Sequence, residues 1–483
     1  MYDSGRAFYG RQSVLNVLSD HLDAIRETGR GRIVAMRGRR QVGKSTVLER
    51  FVDSSGVPSV FVSAVFGASV QQQVADATSA IVESRHPLPN AGLLAQTPAS
   101  SWREWFGRIA LAAQEGPVVV VLDEFPWLVT GDPTLEGELQ TQWDRVLEHL
   151  PVLFVLVGSD VTMMDRLATH GRPLFGRVRP MVVPPLNPAD IAEALPRSSA
   201  TEVFDGYLVT GGYPRLVADL AQSGGRVQDY VRRSLQDVFS PLVATARLTM
   251  DAEFADGPAA YQVLSAIGAD DKSTPGFTDI AGAIGDAEER TRVHTAITRA
   301  LKTLAGDKGL IEREQPAWAP ASSRLVRYRI ADPYLRFWFR YVERQIDSIS
   351  RGRSDLAIDG FNRDWLSWRG RSIEPVVRDA LTRLAPADPH LAGVESVRAW
   401  WVRNNSVEVD AVAMSREKSV LLATIKWRNE GEVSEREVSQ LRAHRAVVPR
   451  ADDALIAAIS PRGNRPEGAD VAYGAAELLA AWS

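Results

Sequence analysis

The sequence predicts an α/β fold, and two segments carry that prediction. Residues 38–45 form a complete G-x-x-x-x-G-K-[ST] motif between an apolar strand pattern and a helical pattern. Residues 117–122 form a second apolar strand pattern, which ends in the carboxylate pair Asp123-Glu124. A strand, a glycine-rich loop and a helix in this order are the context in which such a motif binds phosphate groups, so the motif also predicts a nucleotide site.

The motif predicts how its residues treat a nucleotide. Gly38 and Gly43 let the backbone turn so that successive N–H groups and the N-terminus of the next helix face the phosphates. Lys44 is expected to reach the β- and γ-phosphates, and Ser45 is expected to hold Mg²⁺. ATP and Mg²⁺ are therefore the predicted ligands. The residues assigned to the nucleotide here are Gly38, Arg39, Arg40, Gln41, Val42, Gly43, Lys44, Ser45 and Thr46.

The carboxylate pair after the second strand predicts hydrolysis. Asp123 is expected to bind the Mg²⁺ directly or through water, as in hydrolysing P-loop proteins. Glu124 has the position of a general base that polarises the attacking water. Lys44 and Glu124 therefore have different predicted tasks, one in binding and one in catalysis.

Two further residues are catalytic candidates, each with an ordinary alternative. Ser159 follows the strand pattern 152–157 and is a candidate contact of the γ-phosphate or its water, and a plain turn is the alternative. Arg177 follows a glycine-rich segment and is a candidate for stabilising transition-state charge, in cis or across a subunit interface. An ordinary surface arginine is the alternative for Arg177.

Two segments flank this region. Gly10 and Arg11 are candidate nucleotide contacts, and they precede an amphipathic helical pattern that we expect to pack beside the nucleotide. Residues 187–244 have a helical pattern that is interrupted by Gly-Gly-Tyr-Pro-Arg at 211–215 and resembles a lid. Arg215 is therefore a candidate to close over the phosphates.

Composition narrows the classes of partner and site. The 483 residues suggest two to four domains. The sequence contains no run of eighteen apolar residues, so no membrane span is expected. The first residues lack the apolar core of a signal peptide, so a cytoplasmic protein is expected. Without cysteine, disulfides, thiol catalysis and thiolate metal sites are excluded. The net charge of −4 argues against uniform affinity for nucleic acid but leaves local basic surfaces open.

Taken in order, these motifs resemble the archaeal-type P-loop ATPases of the AAA+/STAND group. The resemblance implies a five-stranded parallel sheet in which the Asp123 strand lies beside the strand before the phosphate loop. It also implies a switch whose ATP state controls attached domains, with an ATPase core at 1–186 and a helical lid at 187–257. The segments that carry it are Gly10-Arg11, 38–45, 123–125, Gly158-Ser159, 173–177 and 211–214.

Residues 258–342 resemble a winged helix with a following helix, and 343–363 are expected to be a linker. Three helical patterns precede two strand patterns, and the third helix carries Arg299 and Lys302 away from its apolar face. That polar face could enter a DNA major groove, and internal packing is the alternative. DNA is therefore left open as a partner.

Residues 364–483 resemble the PD-(D/E)xK nuclease-like domain that many of these ATPases carry. Glu374, Asp410 and Lys426 match its site, and period-two alternation puts positions 424 and 426 on one strand face. Thr424 stands where that family has Glu or Asp, and a hydroxyl cannot replace a charged ligand for Mg²⁺. The site is therefore expected to be degenerate. Rescue by Glu408 and simple pairing with nearby arginines stay open.

The sequence favours an ATP-dependent molecular switch with a nuclease-like domain retained for binding. An ATP-regulated metal-dependent DNA endonuclease is the first alternative. A signalling scaffold that oligomerises on ATP without touching nucleic acid is the second. A second copy of the chain and a regulatory protein are both left open as partners, and no membrane partner is expected.

Overall fold

The computed structural model describes residues 8–254, 258–270, 274–285, 290–428 and 432–483. It divides into two compact units. The first unit is Arg11–Pro185, and the second is Leu186–Ser483 together with the described residues before Arg11. None of the described helices is long and apolar enough to cross a bilayer.

The first unit alternates strands and helices. Its strands are β1 (Arg32–Arg37), β2 (Ser59–Ser63), β3 (Val118–Asp123), β4 (Val152–Gly158) and β5 (Val178–Val182). Its helices are α1 (Gln12–Thr28), α2 (Lys44–Ser55), α3 (Val70–Glu83), α4 (Ala91–Leu94), α5 (Trp102–Ala113), α6 (Phe125–Gly131), α7 (Leu135–Arg145) and α8 (Val161–Leu167).

The five strands form one parallel sheet in the order β2-β3-β4-β1-β5, which confirms the α/β class and the five-stranded parallel sheet. The expected position of β3 beside β1 is wrong, because β4 lies between them. All seven residues of β4 are buried, as befits a central strand that pairs on both edges and is covered on both faces. The tips of β3 and β4 are therefore neighbours.

The core of the first unit lies under helices α3 and α5. Trp105 is fully buried, and its indole N–H donates to the carbonyl oxygen of Ala77 at 2.9 Å. Phe106 contacts Phe154 of β4 edge to face, with ring centroids 6.0 Å apart. These contacts fix the sheet that carries the candidate nucleotide residues at its edge.

The second unit contains the rest of the helices and two more sheets. Its helices are α9 (Pro188–Ala194), α10 (Ala200–Thr210), α11 (Pro214–Gln222), α12 (Val227–Leu235), α13 (Pro241–Glu253), α14 (Pro258–Ala269), α15 (Phe277–Ile284), α16 (Arg290–Lys302), α17 (Pro333–Tyr341), α18 (Ile346–Ser350), α19 (Ser354–Leu384), α20 (Glu435–His444) and α21 (Ala475–Leu479). Its strands are β6 (Ile311–Glu314), β7 (Arg327–Ile330), β8 (Ser396–Trp401), β9 (Glu408–Met414), β10 (Ser419–Ile425), β11 (Leu455–Ile459) and β12 (Val471–Tyr473).

Strands β8 to β12 form a mixed sheet in the order β12-β11-β10-β9-β8. The pairs β8/β9 and β9/β10 are antiparallel, whereas β10/β11 and β11/β12 are parallel. Strands β6 and β7 form a separate antiparallel hairpin that follows helices α14 to α16. The helical period of α16 puts Val293 on one face with Ile297 and Leu301, but the side chain of Val293 lies outside what the structure describes.

The segment 343–363 is not an extended linker, because α18 and the start of α19 occupy most of it. Helix α19 begins at Ser354, although the helical pattern that carries Glu374 predicts a start only near Trp368. Its first turns are helical because Phe361 and Trp365 are buried, with Phe361 against the ring of Tyr341 in α17. Tertiary packing of aromatic side chains thus extends a helix whose start the local pattern did not mark.

Buried polar contacts hold the second unit together. The Nε of Arg369 in α19 lies 2.5 Å from Oδ1 of Asp205 in α10, and both side chains are almost completely buried. The hydroxyl of Tyr213 donates to Oδ2 of Asp332 at 2.7 Å, and the indole of Trp338 donates to the carbonyl oxygen of Val243. Because of these contacts, the segments expected to be lid, winged helix and nuclease-like domain belong to one compact unit.

Candidate functional site

The loop at residues 38–43 has the backbone geometry of a phosphate cradle. A Cβ on Gly38 would lie only 2.6 Å from the carbonyl oxygen of Val183, so a side chain there would collide with backbone. Gln41 and Gly43 have φ values of 65° and 88°, and α2 begins immediately afterwards at Lys44. The loop therefore wraps in front of a helix N-terminus, where backbone N–H groups can meet an anion.

Lys44 lies across the interior of this loop. Its Nζ donates to the carbonyl oxygens of Gly38 at 2.8 Å and of Arg39 at 3.1 Å, and the residue is only 6% exposed. Burial lowers the pKa of Lys44, while the carboxylates of Glu124 and Asp123 act in the opposite direction. The ammonium group is therefore held at the loop and close to both acids.

Ser45 and Asp123 meet although β4 lies between β3, which ends at Asp123, and β1, which precedes the phosphate loop. The hydroxyl of Ser45, in the first turn of α2, donates to Oδ2 of Asp123 at 2.6 Å. Asp123 ends β3, where parallel strands present their carboxyl ends to ligands. The pair of oxygens predicted to hold Mg²⁺ is thus assembled from distant parts of the sequence.

Glu124 and Ser159 also meet at this sheet edge. Glu124 has a left-handed backbone (φ 51°, ψ 44°) just before α6, which turns its side chain away from the line of β3. The hydroxyl of Ser159 lies 3.1 Å from each carboxylate oxygen of Glu124. Ser159 therefore contacts the candidate base, and its predicted role at the γ-phosphate or its water stays a prediction.

Arg11 is linked to the loop from behind. Its guanidinium donates to the carbonyl oxygen of Val42 at 2.6 Å and to that of Pro184, and the residue is 4% exposed. This cation therefore holds loop backbone, and its predicted place among the nucleotide contacts stays a prediction. Gly10, its predicted companion, belongs to the second unit, where its N–H donates to Oε2 of Glu193 at 2.9 Å.

Of the two candidate arginines, Arg177 is paired within the first unit and Arg215 belongs to the second unit. Arg177 pairs with Asp144 of α7 through Nε and NH2 at 2.6 and 2.7 Å, and it also donates to the carbonyl oxygens of Pro173 and Phe175. Arg215 is an exposed residue of α11 in the second unit. The roles of Arg177 in charge stabilisation and of Arg215 in closure stay predictions.

The second candidate site lies in the mixed sheet and converges on Asp410. Its Oδ2 accepts from the backbone N–H of Ile425 at 2.7 Å, from the hydroxyl of Thr424 at 3.2 Å and from Nζ of Lys426 at 3.3 Å. Positions 424 and 426 therefore reach one carboxylate, as their period-two spacing on one strand face requires.

Glu374 faces the same carboxylate from α19. Burial, together with the negative charge of Asp410, raises the pKa of Glu374 to about 8. Arg378 lies between the two acids, with NH1 3.0 Å from the carbonyl oxygen of Asp410 and 3.7 Å from Oε2 of Glu374. Sequence reasoning missed Arg378, although its i+4 spacing from Glu374 was a usable signal.

Glu408 forms an ion pair with Arg327. Its Oε1 accepts from NH1 of Arg327 at 2.6 Å, and that guanidinium lies over the ring of Trp401. Among the residues that the structure describes, no group of three or more acids or histidines could hold a metal ion. At this second site, Asp410 is a carboxylate that accepts hydrogen bonds from Thr424, Ile425 and Lys426.

The chain is similar in sequence to a described family and to a known protein. A family model described as archaeal and bacterial proteins of unknown function matches residues 338–441. An uncharacterized protein of Methanocaldococcus jannaschii is 22% identical over 425 residues, which cover 87% of this chain and 88% of that protein.

Solved structures are similar to this chain in fold. A Walker-type ATPase of Pyrococcus abyssi aligns with a TM-score of 0.50 and 18% identity, over 69% of this chain and 96% of the other. The ORC2 protein of Aeropyrum pernix, in ADPNP and ADP complexes, aligns with a TM-score of 0.44 and 14% identity, over 74% and 96%. With its parallel sheet and phosphate loop, the chain has the fold of a Walker-type P-loop ATPase.

Proposed function

We propose that this chain is an ATP-binding and ATP-hydrolysing switch, with its nucleotide site on the first unit. The observation that carries the proposal is the contact of Ser45 Oγ with Asp123 Oδ2 at 2.6 Å, directly beside the loop that holds Lys44. A hydroxyl and a carboxylate oxygen at the loop fit Mg²⁺, which takes few protein ligands and completes its shell with phosphate oxygens and water. When bound, Mg²⁺ neutralises charge on the β- and γ-phosphates.

The residues of the chain divide the work of hydrolysis. The backbone N–H groups of the loop bind phosphate oxygens, and the ammonium of Lys44 moves its hydrogen bonds from loop carbonyls to the phosphates. Glu124 accepts a proton from the attacking water as general base. Arg11 keeps the loop in shape through the carbonyl oxygen of Val42.

Ser159 acts in this scheme as a positioning residue. Its hydroxyl contacts both carboxylate oxygens of Glu124, which orients the base. Ser159 lies beside Glu124 because β4 and β3, the strands that precede these two residues, are paired. A change of the β4 tip would therefore alter hydrolysis more than nucleotide affinity.

Two variants of the full chain test the proposal. Lys44→Ala should abolish ATP binding in calorimetry, because it removes the charge that meets the phosphates. Glu124→Gln should bind ATP normally and hydrolyse it at least about tenfold more slowly, because only the base is lost. Equal loss of binding in both variants would contradict the division of roles, and undiminished turnover in Glu124→Gln would remove the base assignment.

A second function, binding of DNA or of a partner protein by the second unit, is favoured by the Asp410 cluster. We infer a degenerate PD-(D/E)xK-like site, which is supported by the contacts of Thr424 and Lys426 with Asp410 and by the influence of Asp410 on Glu374, while position 424 lacks an acid. Oδ2 of Asp410 accepts hydrogen bonds from two side chains and one backbone N–H, which weakens it as a metal ligand. The pairing of Glu408 with Arg327 argues against rescue by that acid, and hence against the endonuclease alternative.

We further infer that α14 to α16 and the β6–β7 hairpin form a winged helix. Ile297, Leu301 and Leu304 are buried, whereas Arg299 and Lys302 are exposed on another face of the same segment. Exposed cations on a third helix suit a DNA backbone. The scaffold alternative predicts ATP-dependent association of copies without any salt-dependent affinity for DNA.

A further inference from the structure

The second unit contains a polar cavity that the proposed functions do not use. Its volume is about 650 Å³, and it lies where helices α10, α17 and α19 meet the β6–β7 hairpin and strand β8. Five arginines and three acids line it: Arg313, Arg329, Arg336, Arg378, Arg398, Glu312, Glu314 and Asp379. The lining therefore carries an excess of two formal positive charges, and the volume is that of a small-molecule site.

Arg336 is the unusual member of this lining. It is only 4% exposed, and its guanidinium donates to the carbonyl oxygens of Ile330 at 2.9 Å and of Ser372 at 3.2 Å. Among the described residues, no carboxylate forms an ion pair with it. These bonds leave one N–H on each terminal nitrogen for another acceptor. A buried cation without a counter-charge is costly, so a cavity beside it is suited to an anion.

The nearest acid does not neutralise Arg336, because other arginines share it. Oε1 of Glu314 lies 2.5 Å from Nε of Arg329 and 3.3 Å from NH2 of Arg378. Burial lowers the pKa of Arg336 to about 10, and the charge of Arg329 acts in the same direction. The guanidinium therefore remains charged at neutral pH and lacks a direct partner of opposite sign.

We propose that this cavity binds a phosphate monoester, whose dianionic group pairs with Arg336 and is further attracted by Arg398. Guanidinium groups match the geometry of phosphate oxygens, and a dianion equals the excess charge of the lining. The cavity has room for more than the phosphate. Trp401, Trp482 and Tyr207 contribute aromatic surface to its wall, which suits a planar group on the same molecule.

The site is tested in the full chain carrying Lys44→Ala, so that the phosphate loop does not contribute. Inorganic phosphate and AMP are the probes, each titrated at millimolar concentration in a calorimeter. Saturable binding of at least one probe is expected. Equal affinity for both would identify the phosphate group alone as the ligand, tighter binding of AMP would identify a nucleotide, and both results support the site.

Two substitutions locate the binding. Arg336→Lys should weaken it about tenfold, because a point charge replaces a planar fork. Arg398→Ala should weaken binding about fivefold. Because Arg398 is exposed, this variant should fold even if Arg336→Lys does not. Arg465→Ala, an exposed arginine outside the cavity lining, is the matched control and should change nothing. Binding of neither probe, or binding unchanged in Arg398→Ala, would overturn the proposal.

Discussion

The hydroxyl of Ser159 lies 3.1 Å from both carboxylate oxygens of Glu124, at the adjacent tips of β4 and β3. The contact joins the candidate base to a strand that separates it from the phosphate-loop strand. Movement of the β4 tip would therefore reorient Glu124.

The first prediction concerns this contact. Ser159→Ala should lower kcat for ATP roughly threefold to tenfold while leaving ATP affinity within about twofold, because the base loses its orientation but the loop is intact. Ser159→Thr keeps the hydroxyl and should restore most of the turnover. If Ser159→Ala weakens ATP binding as strongly as it slows hydrolysis, Ser159 contacts the nucleotide instead.

The second prediction concerns Arg177, which Asp144 holds through two hydrogen bonds. If Arg177 acts across a subunit interface, Arg177→Ala should lower turnover without weakening ATP affinity, and wild-type specific activity should rise with protein concentration. Asp144→Asn, which weakens the pair but keeps the arginine, should retain turnover. Activity that does not depend on concentration leaves Arg177 a role in cis or none.

The third prediction concerns the exposed cations of α16. If Arg299 and Lys302 both reach DNA phosphates, replacing the pair by alanine should reduce the slope of log affinity against log salt by about two. The matched control is alanine at Arg416 and Lys418, two exposed cations in the turn between β9 and β10. Equal slopes in wild type and the α16 variant would assign these helices to internal packing.

The fourth prediction concerns the Asp410 cluster. The wild-type chain should not cleave plasmid with Mg²⁺ or Mn²⁺, with or without ATP, because the site lacks an acid at position 424. Thr424→Glu should increase metal affinity, since the hydroxyl of Thr424 lies 3.2 Å from Asp410 Oδ2. Glu408→Gln should have no effect on metal binding. Robust wild-type cleavage that disappears in Asp410→Ala would establish the endonuclease alternative.

The fifth prediction concerns pH. The pKa of Glu374 is raised to about 8, so between its ordinary pKa and about 8 the folded chain binds a proton that the unfolded chain releases. This contribution to stability is complete at low pH and is lost as pH rises through about 8. In thermal melts at pH values from about 5 to 8, the melting temperature should depend less on pH for Glu374→Gln than for wild type. Glu417→Gln, at an exposed acid, is the control, and identical pH slopes in all three chains would contradict the raised pKa.

Local sequence was sufficient for the phosphate loop and for the strand and helix on either side of it. The motif at 38–45 predicted a strand, a turn and a helix, and the structure has β1, the loop and α2 at those positions. This succeeds because the loop is contiguous, so glycine geometry and side-chain chemistry are encoded within a few residues. Period-two alternation likewise placed Thr424 and Lys426 on one face.

Only the tertiary structure decided which distant residues meet. The position of β4 between β1 and β3, the contact of Ser159 with Glu124 and the buried pair of Arg369 with Asp205 join segments far apart in the chain. No motif or periodicity encodes such contacts, because they result from how whole elements pack. The cavity beside Arg336 arises in the same way, and its charge is evident only when five elements are brought together. The sequence by itself therefore determined the chemistry of the phosphate loop, and packing determined what surrounds it.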